Sequence, residues 1–459
     1  MGTRWTQLNA TVQAMKVAVV GAGWAGAAAA YRLQQAGHQV TVFEASRHVG
    51  GRARSNYSPK LNLTVDNGQH ILLGAYSAIL TLMQSLGLDL SQRLLRDDLS
   101  IRCADHSLVL RTAALPAPWH LLWGVLNAQG LTLREKWQLL RICTQLRYQQ
   151  WQVPVGQTVQ QWLRQGKQSD RLVRIFWQPL CVAAMNTPID IACAQLFAHV
   201  LRDSLGATRQ ASQSLIPLCG LSELWCQHAL AQTDLRLGTR VNTIKQETNG
   251  TYLLNEDTYH AVIACAQAPH TASLLQDLPP ALGSVELLQS MQAMQHIPIA
   301  TVYLELEAPW CLPHPMWLLQ EDPQGLAAGQ WLFDHSCLHP ESTLLAVVIS
   351  DAGRLQHTAK DTIIDAVIAQ IATQTAQWAP PMPSVRGSEL IMEKRASFAA
   401  TPGLQRPDNR SPWPGLYLAG DWTDTGYPGV LEGAVRSGLR AADLCLQDYK
   451  KETCPVTHC

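Results

Sequence analysis

A segment near the N-terminus constrains the fold more strongly than any other part of the sequence. Lys16–Val20 is short, apolar and rich in β-branched residues, as a buried parallel strand is. The glycine-rich run Gly21–Gly26 follows directly, and the Ala-rich run Ala27–Gln35 predicts a helix. Gln39–Phe43 has the composition of a second buried strand. The order strand, glycine turn, helix, strand predicts the first unit of a parallel, doubly wound α/β sheet.

The turn in this unit has the glycine spacing of a dinucleotide-binding site. Gly21 allows the tight turn, Gly23 lets the backbone approach a pyrophosphate, and Gly26 lets the helix pack closely on the strand. Ala22 and Ala25 complete the loop. The first turn of the helix offers free N–H groups and the positive end of the helix dipole, which favour phosphate binding.

An acid and an arginine extend the predicted nucleotide site. Glu44 ends the second strand, 23 residues after Gly21, and is placed to accept hydrogen bonds from the ribose hydroxyls of an adenosine. A carboxylate here argues against a 2′-phosphate, and therefore against NADP. Gly50 and Gly51 then precede Arg52, whose guanidinium suits a diphosphate.

With these residues the sequence resembles the FAD-dependent amine oxidase and carotenoid desaturase superfamily. In that superfamily an acid, five further residues and Gly-Gly-Arg mark FAD, which implies that Ala45, Gly51 and Arg52 contact this cofactor. In the middle of the chain, Leu235–Ile244 and His260–Ala266, separated by a turn at Gly250, have the spacing of two further strands. The resemblance also implies that Val241, in the first of these runs, lies against the adenine.

A second block near the C-terminus supports FAD. Gly415–Asp421 reads as a strand ending in Gly-Asp, and a loop leads to a helix from Leu431 to about Leu446. The resemblance implies that Gly420 and Asp421 meet the ribityl and diphosphate groups. It places the helix start, with Glu432 and Ala434, at the N1–O2 edge of the flavin, where the helix dipole stabilises negative charge.

The predicted fold is α/β, with a Rossmann-like FAD-binding domain and an inserted α+β substrate domain. The FAD-binding domain takes residues 16–95, 215–270 and 405–449, and the substrate domain takes 96–214 and 271–404. The first inserted piece is predicted to be mainly helical. The second is predicted to hold strands and one helix, namely Ile299–Leu306, Trp331–His335, Leu344–Ser350, Glu389–Phe398 and the helix Asp361–Ala376.

The composition of the chain argues against nucleic-acid binding, a cysteine metal site and secretion. The 459 residues contain 35 Lys plus Arg and 35 Asp plus Glu, so there is no basic field to hold nucleic acid. The cysteines form no C-x-x-C pair, so neither a metal site nor a disulfide framework is expected. Met1–Ala14 contains no apolar run of the kind that a secretory signal needs, and a cytoplasmic location is expected.

Four passages are similar to the hydroxysqualene dehydroxylase family, also described as squalene-associated FAD-dependent desaturases. They are Asp66–Tyr76, Trp177–Pro188, Ile216–Leu224 and Thr425–Gly438. The resemblance implies reductive removal of the hydroxyl of hydroxysqualene to give squalene, in squalene and hopanoid biosynthesis. It implies a hydrophobic isoprenoid substrate, and contact with other enzymes of that pathway remains open.

The proton donor for such a reaction is left among four residues. The resemblance places Asp66, His70, Tyr427 and Glu432 near the isoalloxazine ring, and Gln69 and His70 against the cofactor. A histidine has a suitable pKa range, but it also suits a purely cofactor-binding role. Asp66 also fits a turn cap, and Glu432 also fits a helix N-terminus. His70 and Tyr427 are the first candidates.

A peripheral membrane contact is predicted near residues 115–126, which include Trp119 and Trp123. Burial of this apolar segment in the core is the competing interpretation. We expect the protein to lie on the inner face of the membrane, where it would take up its substrate. The functional alternatives are another FAD-dependent isoprenoid desaturase, an amine oxidase on the same fold, and a non-catalytic flavin-binding subunit.

Overall fold

A computed structural model describes residues 14–322 and 325–453. The expectation about a secretory signal in Met1–Ala14 concerns residues that, apart from Ala14, lie outside this part of the chain. In the described ranges no helix has both the length and the apolar character needed to span a bilayer.

The strands, in chain order, are β1 (Lys16–Val20), β2 (Gln39–Phe43), β3 (Ser55–Ser58), β4 (Leu63–Asp66), β5 (Leu72–Leu73), β6 (Leu94–Asp97), β7 (Ser100–Arg102), β8 (Val109–Arg111), β9 (Ser214–Pro217), β10 (Asp234–Arg236), β11 (Ile244–Gln246), β12 (Tyr252–Leu254), β13 (Asp257–Tyr259), β14 (Ala261–Ala264), β15 (His296–Leu306), β16 (Met316–Leu318), β17 (Trp331–Asp334), β18 (Leu344–Ile349), β19 (Val385–Phe398) and β20 (Leu416–Leu418).

The α-helices are α1 (Trp24–Gln35), α2 (Ser77–Ser85), α3 (Leu90–Arg93), α4 (Trp119–Leu126), α5 (Leu133–Tyr148), α6 (Val159–Gln165), α7 (Asp170–Leu172), α8 (Gln178–Met185), α9 (Ala194–Ser204), α10 (Arg209–Ser212), α11 (Gln227–Leu230), α12 (Ala268–Leu275), α13 (Ser284–Gln292), α14 (Lys360–Thr375) and α15 (Leu431–Thr453). Two π-helical turns, Val173–Trp177 and Ser222–Cys226, run directly into α8 and α11.

A five-stranded parallel sheet forms the frame of the molecule. Its strand order is β10-β2-β1-β14-β20, and every neighbouring pair is parallel. Strands from the beginning, middle and end of the chain therefore share one sheet, as the sequence predicted. Their carboxyl ends meet at one edge, which is where open α/β sheets bind ligands.

Helices α1 and α15 pack together on one face of this sheet. The first turns of α1 are almost entirely buried small residues, Ala25 and Ala27–Ala30. A Cβ at Gly438 of α15 would lie 2.1 Å from the carbonyl oxygen of Ala25. Only a glycine on α15 therefore permits this close approach, and it fixes where the N-terminus of α1 lies relative to α15.

A second, antiparallel sheet has the order β16-β17-β18-β15-β19. Alternate side chains divide between its two faces, as the period of a strand requires. Trp317, Leu332 and Val347 pack into a core shared with α14, whereas Trp331 and Phe333 face a large cavity on the other side.

The first inserted piece is mainly helical, as predicted. In the second piece the four predicted strands and the predicted helix are present, with two of the strands beginning three and four residues earlier than expected. The prediction of a single helix is wrong, because this piece also contains α13, and β16 was not predicted. The run predicted as one strand from Leu235 to Ile244 is interrupted. Its chain leaves the parallel sheet after Arg236 and turns at Gly238, where φ is +64°. Val241 consequently lies in a loop rather than in a strand. The division into domains stays a prediction.

The tryptophans of the helical region divide into buried and exposed side chains. Trp162 and Trp177 are buried in the core, where their rings contact each other edge to face. Trp119, Trp123 and Trp137 are exposed by 58%, 51% and 66%. The core interpretation of the segment 115–126 is therefore wrong for Trp119 and Trp123, which face outward from α4.

Candidate functional site

A cavity of about 870 Å³ opens at the carboxyl edge of the parallel sheet and extends between the antiparallel sheet and helices α8 and α9. Among the residues predicted from sequence, those that line it are Gly21, Gly23, Ala25, Glu44, Ala45, Gly51, Arg52, Gln69, His70, Val241, Gly420, Asp421, Tyr427 and Ala434. Ala22, Gly26, Asp66 and Glu432 do not line it. The two sequence blocks that were predicted to meet thus face one cavity.

The glycine turn has the shape of a phosphate cradle. Gly21 has φ +113°, a conformation that strains any other residue. A Cβ at Gly26 would lie 1.8 Å from the Gly21 carbonyl oxygen, so this glycine lets the helix follow the turn. Gly23 caps α1 without a side-chain hydrogen bond, and a Cβ there would contact only Gly51, at 3.7 Å. The space in front of Gly23 is therefore available to a ligand at the helix N-terminus.

Glu44 holds this turn in place. Its two carboxylate oxygens accept hydrogen bonds from the backbone N–H groups of Ala22 and Ser46, both at 2.8 Å. A carboxylate oxygen has a second lone pair, so each oxygen can still accept a ribose hydroxyl. Ala22, predicted as a cofactor contact, is a buried residue that contributes its N–H to Glu44.

Arg52 and Asp421 join the two sequence blocks. The Arg52 guanidinium donates to a carboxylate oxygen of Asp421 at 2.5 Å and to the Ala396 carbonyl oxygen at 2.7 Å. Arg52 was predicted to bind a diphosphate directly. In the structure one of its Nη groups donates to Asp421 and the other to Ala396, so Arg52 also holds the Gly420–Asp421 turn against the Gly50–Gly51 turn.

Two of the predicted proton donors face away from the cavity. The Asp66 carboxylate accepts from the Ser55 hydroxyl at 2.6 Å and from the Leu221 N–H at 3.0 Å. Burial raises the pKa of Asp66, while these hydrogen bonds lower it, and the net direction is upward. Asp66 ties a hairpin to a neighbouring turn and is not positioned to reach a ligand in the cavity.

Glu432 is fully buried and does not line the cavity. Its carboxylate accepts from the N–H groups of Ala78 and Ile79 at 2.9 and 3.1 Å, and from Arg436 at 2.8 Å. These N–H groups are in the first turn of α2, where a negative charge is stabilised by the helix dipole. Glu432 therefore joins two helices, and its carboxylate, predicted to lie near a cofactor, does not line the cavity.

His70 and Gln69 line the cavity together. Burial, with a smaller effect of the nearby Arg52 charge, lowers the pKa of His70 to about 4. The imidazole is accordingly neutral near pH 7. The Gln69 side-chain oxygen lies 3.1 Å from Nε2 of His335, a contact that leaves its NH₂ group free to face the cavity.

Tyr427 lines the cavity from the loop after β20. Its hydroxyl donates to Oδ2 of Asp203 at 2.6 Å. Burial, with the Asp203 hydrogen bond second, raises the pKa of Tyr427 to about 12. Tyr76 also lines the cavity, and burial followed by the Glu432 charge raises its pKa above the usual range. Both phenols are therefore neutral at pH 7.

The end of the cavity formed by the antiparallel sheet and the helices is apolar. Its walls include Ile101, Phe176, Leu180, Met185 and Leu318. The π-helical turn Val173–Trp177 changes the helix register, so that Phe176 faces the cavity while Trp177 is buried in the core. In the ranges that the structure describes, no group of three or more His, Cys, Asp or Glu side chains could hold a metal ion.

The family model of flavin-containing amine oxidoreductases matches residues 24–446. The chain belongs to this family.

The chain is similar to proteins named hydroxysqualene dehydroxylase and 15-cis-phytoene desaturase. Hydroxysqualene dehydroxylase of Rhodopseudomonas palustris is 30% identical over 460 residues, which cover 94% of this chain and 98% of the relative. The protein of the same name from Sinorhizobium fredii is 28% identical, with the same shares covered. The 15-cis-phytoene desaturase of Glycine max is 24% identical over 95% of this chain and 80% of its own.

Solved structures agree on the fold. Cyclohexylamine oxidase from Brevibacterium oxydans superposes with a TM-score of 0.69, covering 95% of this chain and 100% of that chain at 16% identity. Putrescine oxidase bound to putrescine gives a TM-score of 0.67 at 18% identity, covering 94% and 99%.

This member of the flavin-containing amine oxidoreductase family is an FAD-dependent oxidoreductase. The residues present fit the cofactor, because the Gly21–Gly26 turn, the open N-terminus of α1 and the Glu44 carboxylate line one end of the cavity. From their positions in the lining, Val241 and Ala434 are proposed to flank the adenine and flavin ends.

Sequence reasoning missed several cavity residues. Asp203 and Phe176 come from helices without a recognisable motif, and Glu393 comes from β19. Tyr76 lay inside a passage that was quoted for its resemblance, yet no role was assigned to it. An amphipathic pattern in α9 was the available signal, but such a pattern does not say which residue meets a tyrosine 224 positions away.

Proposed function

We propose that this FAD-dependent oxidoreductase removes the hydroxyl group of hydroxysqualene and thereby forms squalene. The observation that carries the proposal is a single cavity that joins a nucleotide cradle to an apolar chamber. An apolar chamber suits a hydrocarbon chain, and the relatives with the highest identities among those described are named for this reaction.

The reaction makes three physical demands. The carbinol oxygen must receive a proton before it leaves, because hydroxide is a poor leaving group. The carbon must lie about 3–3.5 Å from the atom that reduces it. The chamber must exclude water, which would otherwise trap an allylic cation. When bound, FAD in its reduced form supplies the hydride.

The apolar walls meet the third demand. Phe176 and Leu180 come from the helical side, and Met316, Trp331 and Phe333 come from the antiparallel sheet. They would hold the isoprenoid chain by dispersion and by exclusion of water rather than by hydrogen bonds. Orientation of the substrate would then depend on the few polar groups in the wall, which meet the hydroxyl.

Tyr427 is the proton donor that we favour. His70 has a pKa of about 4, so its cationic form is scarce at neutral pH. Tyr427 has a pKa of about 12, so it keeps its proton at neutral pH. It becomes a strong enough acid only toward an oxygen that gains negative charge as the C–O bond breaks. His70 would then orient the cofactor or substrate as a neutral hydrogen-bonding group.

Substrate access from a lipid surface is a further part of the proposal. Leu115, Trp119 and Trp123 expose apolar surface on and beside α4, and the amphipathic tryptophan side chain is suited to a membrane interface. The opposite face of α4 carries His120, whose ring nitrogen lies 3.3 Å from the hydroxyl of Ser212, a residue of the cavity wall. One short helix therefore separates the proposed lipid contact from the cavity.

The direction of electron flow tests the proposed reaction. The FAD-loaded protein is mixed anaerobically, once oxidised and once reduced, with hydroxysqualene, phytoene or a simple amine. We expect hydroxysqualene to oxidise the reduced flavin and the other compounds to leave both forms unchanged. Reduction of the oxidised flavin by phytoene or by the amine would replace the proposal with a desaturase or an amine oxidase. No change with any compound would support a non-catalytic subunit.

A further inference from the structure

Helix α9 holds the loop that carries Tyr427. His199 contacts the Gly426 carbonyl oxygen through its Nδ1 at 3.2 Å, and one turn later Asp203 accepts the Tyr427 hydroxyl at 2.6 Å. Residues four apart lie on one face of a helix. The same helix lines the apolar chamber with Val200, so a helix of the chamber fixes the position of the phenol.

Asp203 is reached from two sides. It lines the cavity, where it meets Tyr427. On the other side Arg202 donates to it through Nε at 2.6 Å and Nη2 at 3.2 Å. The side chains of Arg202 and Asp203 are 46% and 23% exposed, so this carboxylate also meets solvent. A cavity phenol is thereby joined to water outside through one carboxylate.

We propose that Asp203 is the positioning residue for Tyr427 and returns a proton from solvent to its phenolic oxygen. The inference deepens the proposed function and rests on it. In the step, the carbinol C–O bond would break, the oxygen would take the Tyr427 proton and leave as water, and the carbon would receive the hydride that bound, reduced FAD supplies. The one net proton that the reaction consumes would come from bulk solvent: Asp203 binds it and passes it along the hydrogen bond to the phenolic oxygen, which restores both the phenol and the carboxylate.

The charges around the pair agree with this role. Burial raises the pKa of Asp203, but the hydrogen bonds from Arg202 and Tyr427 and the charges of Arg202 and Arg436 together outweigh it, and the net direction is downward. Asp203 is therefore anionic at neutral pH and able to accept a proton. The Arg436 guanidinium lies 5.1 Å from the centre of the Tyr427 ring.

The other titratable groups facing the pair come from neighbouring elements. Glu432 of α15 raises the pKa of Tyr427, and Tyr76 is coupled electrostatically to Tyr427. A phenolate between these groups and Asp203 would be strongly disfavoured. Return of the proton through Asp203 would end that state.

The test replaces Asp203 by asparagine, which keeps an oxygen that accepts the phenol hydrogen bond but is not able to carry a proton. Asp365→Asn is the matched control, since Asp365 is an exposed helical aspartate on α14, away from the cavity. We expect Asp203→Asn to lower kcat at least about tenfold, to leave KM for hydroxysqualene nearly unchanged and to raise the solvent deuterium isotope effect. Asp203→Glu should recover part of the rate, and the flavin spectrum reports that each variant is folded.

A second readout needs no substrate. Position 427 is occupied by a fluorinated tyrosine, whose more acidic phenol titrates under conditions that the fold tolerates, and its ionisation is followed by ¹⁹F NMR. The anionic carboxylate disfavours the phenolate, so Asp203→Asn should lower the phenol pKa by about one unit or more. An unchanged titration would overturn the coupling, whatever the substrate. A shifted titration with a wild-type rate would overturn the proton return. A wild type that is inactive on hydroxysqualene would reject the proposed function, while the titration would still decide the coupling.

Discussion

Replacing Glu44 by glutamine tests how the nucleotide cradle is held together. Both carboxylate oxygens accept backbone N–H groups at 2.8 Å, from buried Ala22 and half-buried Ser46. In glutamine one oxygen becomes an NH₂ group, so one N–H loses its acceptor, and the ribose loses a charged partner. The unfolding free energy of the cofactor-free protein should fall by about 1 kcal/mol. FAD binding should weaken by about 1–2 kcal/mol, which is roughly a five- to thirty-fold rise in Kd.

The assay is the titration of cofactor-free protein with FAD, followed by quenching of flavin fluorescence, together with urea unfolding of the same samples. Glu256→Gln is the matched control, because Glu256 is an exposed glutamate in the turn between β12 and β13. If Glu44→Gln bound FAD as tightly as the control, Glu44 would not contribute to the cradle and this assignment would be refuted.

Three further outcomes are expected. Gly23→Ala should abolish FAD binding without loss of stability in the cofactor-free protein. Gly26→Ala should abolish binding and also lower the melting temperature of the cofactor-free protein, because the new Cβ would lie 1.8 Å from a carbonyl oxygen of the same turn. Equal melting temperatures of the two cofactor-free variants would contradict the described turn. Trp119→Glu with Trp123→Glu should release the protein from lipid vesicles in a flotation assay and leave the flavin spectrum unchanged, since these side chains are 58% and 51% exposed; loss of FAD would show that they support the fold. His70→Gln should give a pH profile of kcat parallel to that of the wild type between about pH 6 and 8, because a His whose pKa is lowered to about 4 is already neutral there; loss of a limb of the profile would show that His70 titrates in turnover.

The parts of the molecule that follow from local sequence were predictable. The unit from β1 to Glu44 is set by the turn glycines, the apolar strands and the Ala-rich helix, which act over a few residues. Four strands of the antiparallel sheet, β15, β17, β18 and β19, were likewise recognisable as strand-like runs, whereas the short β16 was not predicted. Gly238 shows a limit, since a single turn moved Val241 out of a strand that its composition favoured.

The direction in which a side chain points was not predictable, because it depends on contacts between residues that are far apart in the sequence. Glu432 lies next to cavity residues in sequence, yet it points to the N-terminus of α2, 354 residues away along the chain. Asp66 is adjacent to the predicted site in sequence, but its carboxylate accepts hydrogen bonds from Ser55 and from the N–H of Leu221 in a distant turn. Asp203 was not predicted as a site residue, because only the folded chain brings it into contact with its partner Tyr427.

The central claim is that reduced FAD in this cavity converts hydroxysqualene to squalene, and a single anaerobic turnover in D₂O tests it most directly. The FAD-loaded protein is reduced, equilibrated with D₂O so that the exchangeable flavin hydrogen is replaced, and mixed with one equivalent of hydroxysqualene. We predict squalene carrying one deuterium at the former carbinol carbon or its allylic partner, formed at the rate at which the flavin is oxidised. Unchanged hydroxysqualene beside flavin that stays reduced would contradict the account.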